Sequence, residues 1–257
     1  MSDTVARSLS KVPEVTLTFW VIKILATTLG ETGGDAVSMT LDLGYAVGSA
    51  IFFAVFAVAV FTQVRAKAFH PYLYWAVVVA TTTLGTTMAD FATRSMGIGY
   101  TGGSAILFAL LIASLAVWRF SEGSVAVDTV NTPRVEAFYW GTILFSQTLG
   151  TALGDWVADT NDFGYENGAI VFGAGLAVVA ALMYFTKVSR TVLFWSAFIL
   201  TRPLGATLGD LLDKPVDHGG FAIGRFAASA GLAVAMLACL LLLPQKAGDH
   251  PGTPSDG

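Results

Sequence analysis

Cysteine is almost absent from this 257-residue chain, with Cys239 alone, so no internal disulfide and no thiolate metal cluster can form. Charge is also scarce, at 12% of residues against about 25% in soluble domains, which excludes an ordinary water-soluble globule. The 14 Lys and Arg are outnumbered by 18 Asp and Glu and are scattered along the chain, so there is no basic face for nucleic acid. No G-x-x-x-x-G-K-[ST] loop occurs, and ATP does not power the chain through a P-loop. Histidine is limited to His70, His218 and His250, all in loops or the tail, which leaves neither a zinc cluster nor a general base. Ser38, Ser104 and Ser146 have no histidine beside them, so the chain is not expected to be an enzyme.

What remains is apolar: 54% of residues, with a mean hydropathy of +0.68. The apolar residues fall into blocks such as 46–64 and 222–243, the ~20-residue length that carries a helix across a ~30 Å hydrocarbon core. Blocks centred on about 16–38, 45–64, 72–92, 101–120, 135–158, 166–186, 191–212 and 221–243 predict eight transmembrane helices and an all-α membrane protein. The first block runs past signal-peptide length with no Ala-x-Ala-like exit, so it reads as a retained span.

A repeat organises these helices. Trp20, Trp75, Trp140 and Trp195 recur at intervals of 55, 65 and 55, each preceded by an aromatic residue. Leu-Gly follows at nine and ten residues (Gly30, Gly85, Gly150, Gly205) and an aspartate at fifteen (Asp35, Asp90, Asp155, Asp210). A further glycine, Gly44, Gly99, Gly164 or Gly219, marks the next helix. The unit is therefore a helical hairpin whose first helix carries T-L-G-x-x-x-G-D or a close variant. Four such hairpins run parallel, because each contains an even number of spans. The expected organisation is a tail 1–14, a membrane half 15–120, a polar linker 121–134, a second half 135–243 and a tail 244–257, with about ten residues at each end unanchored. Arg7, Lys11, Arg65, Lys67, Arg119, Arg134, Lys187, Arg190 and Lys246 fall on one side, which places both termini in the cytoplasm.

Gly30 and Gly34, Gly85 and Ala89, Gly150 and Gly154, and Gly205 and Gly209 form small-xxx-small strips that let helices approach closely. The aspartates lie ~22 Å along the helix from tryptophans expected at the membrane interface, in the outer third of the bilayer. Two readings of Asp35, Asp90, Asp155 and Asp210 stand open. They converge with Glu31 as ligands for a cation or as proton carriers, or they cap their loops and pair with Arg94, Lys214 or Arg225. With the hydroxyls of Thr28, Thr32, Thr83, Thr87, Thr148 and Thr151, the donors are hard oxygens suited to Mn²⁺, Ca²⁺, Mg²⁺ or Na⁺. Lys23 and Arg202 are charges inside spans and should turn inward to acidic partners, unless Lys23 snorkels to the interface. Pro203 should bend the seventh helix.

The stretches K-V-P-E-V-T-L-T-F-W and L-G-E-T-G-G-D-A-V-S resemble a bacterial family of multi-pass, repeat-containing membrane proteins, from Lys11 to about Leu243. That resemblance implies a bacterial inner-membrane topology and no activity. Glu31, Gly34, Asp35 and Ser38 are also similar to the E-x-G-D-[KR]-[ST] signature of calcium and manganese cation/proton exchangers, with an extra residue before Gly-Asp and no basic residue after it. The function expected is a cation transporter in the lipid bilayer, driven by an ion gradient. The alternatives are a channel or a non-transport scaffold whose Gly/Asp motifs only pack the hairpins, and the oligomeric state is open.

Overall fold

The computed structural model describes residues 10–159 and 163–248 and is helical almost throughout. Arg7, Asp162, His250 and the outer parts of both tails lie outside these residues. Among the described residues there are eight long helices: α1 (Leu17–Asp35), α2 (Gly44–Arg65), α3 (Pro71–Asp90), α4 (Gly99–Glu122), α5 (Pro133–Asp159), α6 (Gly164–Phe185), α7 (Arg190–Asp213) and α8 (Arg225–Leu242). Pro71 and Pro133 open α3 and α5, where a missing N–H costs nothing. Pi-helical turns, Ala36–Thr40 and Phe91–Ser95, extend α1 and α3 directly beyond Asp35 and Asp90. Gly44, Gly99 and Gly164 start their helices with φ of 74°, 73° and 78°, a conformation that needs no Cβ. The fourth hairpin departs from this pattern. Gly219 ends a short turn at Val216–His218, Gly224 (φ 84°) precedes the helix, and α8 begins at Arg225, later than the repeat register predicts.

The four motif helices α1, α3, α5 and α7 form a closed ring, each packed on the next, with α7 returning to α1. The outer helices lean on the neighbouring unit: α2 on α3, α4 on α5, α6 on α7, and α8 back on α1. Glycine makes the ring tight. A Cβ at Gly30 would overlap the Thr82 side chain of α3, one at Gly85 would meet Gln147 of α5, one at Gly150 would overlap Arg202 of α7, and one at Gly205 would overlap Thr27 of α1. The four contacts are the same contact, made four times around the ring.

Aromatic residues repeat the pattern. Phe19 packs against Trp75 (5.4 Å between centroids), Tyr74 against Trp140 (5.5 Å), Tyr139 against Trp195 (6.3 Å) and Phe194 against Trp20 (5.7 Å). Trp75, Trp140 and Trp195 are buried in this core cluster, so the tryptophans read as interfacial anchors plug one end of the bundle instead. Outside it, α2, α4, α6 and α8 expose an apolar belt that includes Phe53, Phe108, Ile170 and Leu237. Among the described residues, five helices, α2, α4, α6, α7 and α8, are long and apolar enough to cross a membrane.

The chain ends meet at the aromatic end of the ring. Ser10 N donates to Gly248 O, Gly248 N to Val12 O and Glu14 N to Lys246 O, and Pro13 and Ala247 form an antiparallel bridge. Lys11 N donates to Val130 O of the linker, while Lys11 Nζ reaches Glu136 Oε1 at 2.5 Å and Val64 O at 3.1 Å. Residues 10–14 and 246–248 are thus held, and the ends expected to be unanchored lie almost wholly outside the described residues.

Candidate functional site

The interior of the ring reads as a stack of layers, one helical turn apart, because equivalent repeat positions face one another. Next to the aromatic layer lies Lys23, 0% exposed. Its Nζ is 4.0 Å from the Phe198 ring centroid and donates to Thr201 Oγ1 at 3.4 Å. Neither sequence expectation for Lys23 holds. The side chain does not snorkel, and among the described residues it has no acidic partner.

One turn further along α7, Arg202 is also 0% exposed and reaches across the axis. Its Nη2 donates to Glu31 Oε2 at 2.8 Å, to Thr86 Oγ1 at 2.6 Å and to Thr151 Oγ1, so a residue of α7 holds α1, α3 and α5 together. Glu31, Thr86 and Thr151 occupy one repeat position, and the fourth is Ala206. The small alanine is on Arg202's own helix, where no acceptor for it is required. Thr86 was missed in the sequence, although its register with Glu31 carried the signal. Arg202 Nε and Nη1 and both polar atoms of the Gln147 amide are buried without hydrogen-bond partners.

The aspartates form the next layer, in two bridged pairs. Lys214 Nζ lies 2.9 Å from Asp35 Oδ2 and 3.0 Å from Asp210 Oδ1. Arg94 lies 2.9 Å from Asp90 Oδ1 and 3.0 Å from Asp155 Oδ2. Arg225 adds contacts of 3.2 Å to Asp213 and 3.6 Å to Asp35. Lys214 and Arg94 each stand four residues beyond an aspartate and bridge to the adjacent motif helix. Burial opposes the Lys214 ammonium, but Asp210, Asp35 and Asp213 outweigh it and hold its pKa above the ordinary lysine range. The repulsion among the aspartates is therefore relieved, at least in part, by the chain's own cations.

Carboxylate oxygens of Glu31, Asp35 and Asp210 all lie within 4.8 Å of one another, and all three residues are buried. Asp35 Oδ1 is buried without a hydrogen-bond partner among the described residues. The structure thus gathers three of the five acidic residues singled out in the sequence, and holds Asp90 and Asp155 apart on Arg94. The threonine hydroxyls are engaged locally: Thr28, Thr83 and Thr148 donate to the carbonyls of Ile24, Val79 and Leu144 on their own helices. Thr32 and Thr87 donate to the carbonyls of Leu29 and Leu84 in the same way.

Residues 18–69, 73–124, 138–189 and 193–244 each match the model of a repeat of unknown function, DUF347. The four matches cover most of the chain, which belongs to this repeat family. No curated protein and no solved structure matches it, so the local likeness of Glu31, Gly34, Asp35 and Ser38 to cation exchangers extends no further.

Proposed function

We propose that this member of the DUF347 repeat family is an eight-span inner-membrane protein that transports a hard cation, with Glu31, Asp35 and Asp210 as its principal ligands. The observation that carries the reading is their buried convergence at one end of a closed helical ring, with Asp35 Oδ1 unpartnered among the described residues. Three carboxylates suit Mn²⁺, Ca²⁺, Mg²⁺ or Na⁺. The inner helices α1, α3 and α5 are too polar to face lipid, but within the apolar belt of α2, α4, α6 and α8 they cross it shielded. The basic side chains around the paired chain ends favour cytoplasmic termini.

Lys214 sits where a cation bridging Asp35 and Asp210 would sit, so it acts as an internal competitor that an arriving ion displaces. Arg202 lies across the axis behind the carboxylates, which argues for a transporter with alternating access against an open channel. A second reading rests on the same ion pairs. They tie α1 to α7 and α3 to α5, as a scaffold would require.

The test compares the elemental content of cells expressing the wild type with cells expressing an Asp35→Asn/Asp210→Asn variant that reaches the membrane at equal level. A level of manganese, calcium, magnesium, sodium or potassium that changes only with the wild type names the ion. Identical profiles with a large loss of thermal stability in the variant favour the scaffold.

A further inference from the structure

We infer that Lys23 is the proton carrier of this protein: a cation arriving at Glu31, Asp35 and Asp210 drives a proton off Lys23, and reprotonation of Lys23 drives the cation out. The inference rests on the cation reading above and names the ion exchanged against the cation.

Lys23 is the one charged side chain of α1 that the ion-pair system does not use. It is wholly buried, and among the described residues its polar contact is a single 3.4 Å hydrogen bond to Thr201 Oγ1. Thr201 gives its own hydrogen to Phe198 O at 2.8 Å, so its oxygen faces Lys23 as an acceptor. An ammonium and a neutral amine both have an N–H to offer such an acceptor. The proton can therefore leave and return while the hydrogen bond and the packing stay in place.

Charge decides which form is preferred. Helices α3, α7 and α8 pack against α1. On α7 the charged group one turn beyond Phe198 is the Arg202 guanidinium. Asp90 on α3, Asp210 and Asp213 on α7 and Arg225 on α8 belong to the aspartate end of the ring, and Arg190 begins α7 at the opposite end. The remaining titratable groups on these helices are the phenols Tyr72 and Tyr74 of α3, with Tyr74 bonded to Tyr139, and the thiol Cys239 of α8. Two buried cations, Lys23 and Arg202, thus stand one turn apart, and among the described residues only Arg202 has a carboxylate partner, Glu31.

When Glu31 turns its charge to a bound cation, Arg202 is left less compensated, and a second positive charge at Lys23 becomes costly. The ammonium then releases H⁺ and becomes an amine. Linkage makes the effect reciprocal: a proton on Lys23 weakens cation binding by the factor by which the cation weakens proton binding.

The test uses the purified full-length protein in detergent without buffer. Mn²⁺, Ca²⁺, Mg²⁺ and Na⁺ are added separately, with bound cation and released protons counted together. For a cation that binds, the wild type should release about one proton per ion, and its Kd should tighten about tenfold per pH unit. Lys23→Met should bind the same cation with no proton release and a flat pH profile. Lys23→Arg, whose charge is permanent, should bind it weakly at every pH. Lys23→Gln serves in place of Lys23→Met if the latter is not monodisperse. Proton release that persists in the neutral variants overturns the assignment and moves the proton to the carboxylates. Wild-type binding without release also overturns it and leaves the cation reading intact, whereas no binding of any of the four ions at any pH overturns both.

Discussion

Arg202 is the residue on which three helices depend, and its partner Glu31 accepts one further hydrogen bond, from Thr86 Oγ1 at 3.3 Å, among the described residues. Arg202→Met leaves the Glu31 carboxylate buried without its counter-charge, and breaking a buried pair in this way costs about 3–5 kcal/mol. The expected result is a large drop in thermal midpoint in detergent. Adding Glu31→Gln should recover part of the loss, so the double variant is more stable than Arg202→Met alone; additive losses would show that Arg202 acts through packing. At this scale the sequence was half legible. The repeat register picked out Glu31, the four aspartates, Lys23 and Arg202. It did not say whether the aspartates answer to an external cation or to Arg94 and Lys214, because a buried carboxylate requires positive charge without specifying its source. Gln147 and Thr86 carried only the signal of their repeat register with Arg202 and Glu31, which gains meaning once Arg202 is known to cross the axis.

The helices themselves were closely legible, since apolar blocks bounded by glycine, proline and charge leave little freedom in lipid. The start of α8 was misplaced because the residues Lys214 to Ile223 add a loop that keeps Gly219 in register with glycines that do begin helices. The direction of packing could not be read, since a strip of small residues marks a contact face and not the partner it meets. In the structure each strip meets the next motif helix, and this gives a contrast between two glycines. Gly205→Ala would force a methyl group into Thr27, an overpacking worth about 1–3 kcal/mol of destabilisation. Gly33→Ala, with nothing within 4 Å of the new Cβ, should stabilise α1 by about 0.5–1 kcal/mol. Thermal unfolding of the two variants, followed by tryptophan fluorescence, checks both signs.

Across the whole molecule, the ring has no privileged starting point, and residues 10–14 lie beside 246–248. A circular permutant that joins residue 248 to residue 10 through a short Gly-Ser bridge and opens between Lys67 and Ala68 should therefore fold, with a thermal midpoint within a few degrees of the natural order. Its failure to give a monodisperse species would mean that residues outside 10–248, or the intact α2–α3 loop, are required. The interlocking of outer helices with neighbouring units also has a consequence for biosynthesis. As the chain emerges, α2, α4 and α6 each receive their inner helix immediately afterwards, but the partner of α8 is α1, which was made first. In the proposed membrane topology, the face of α1 that α8 covers, where Ser229 donates to Thr32 at 2.8 Å, waits until the final helix is added. Assembly is therefore completed by its last step: a chain that stops short of α8 leaves the Thr32 face of α1 without its partner.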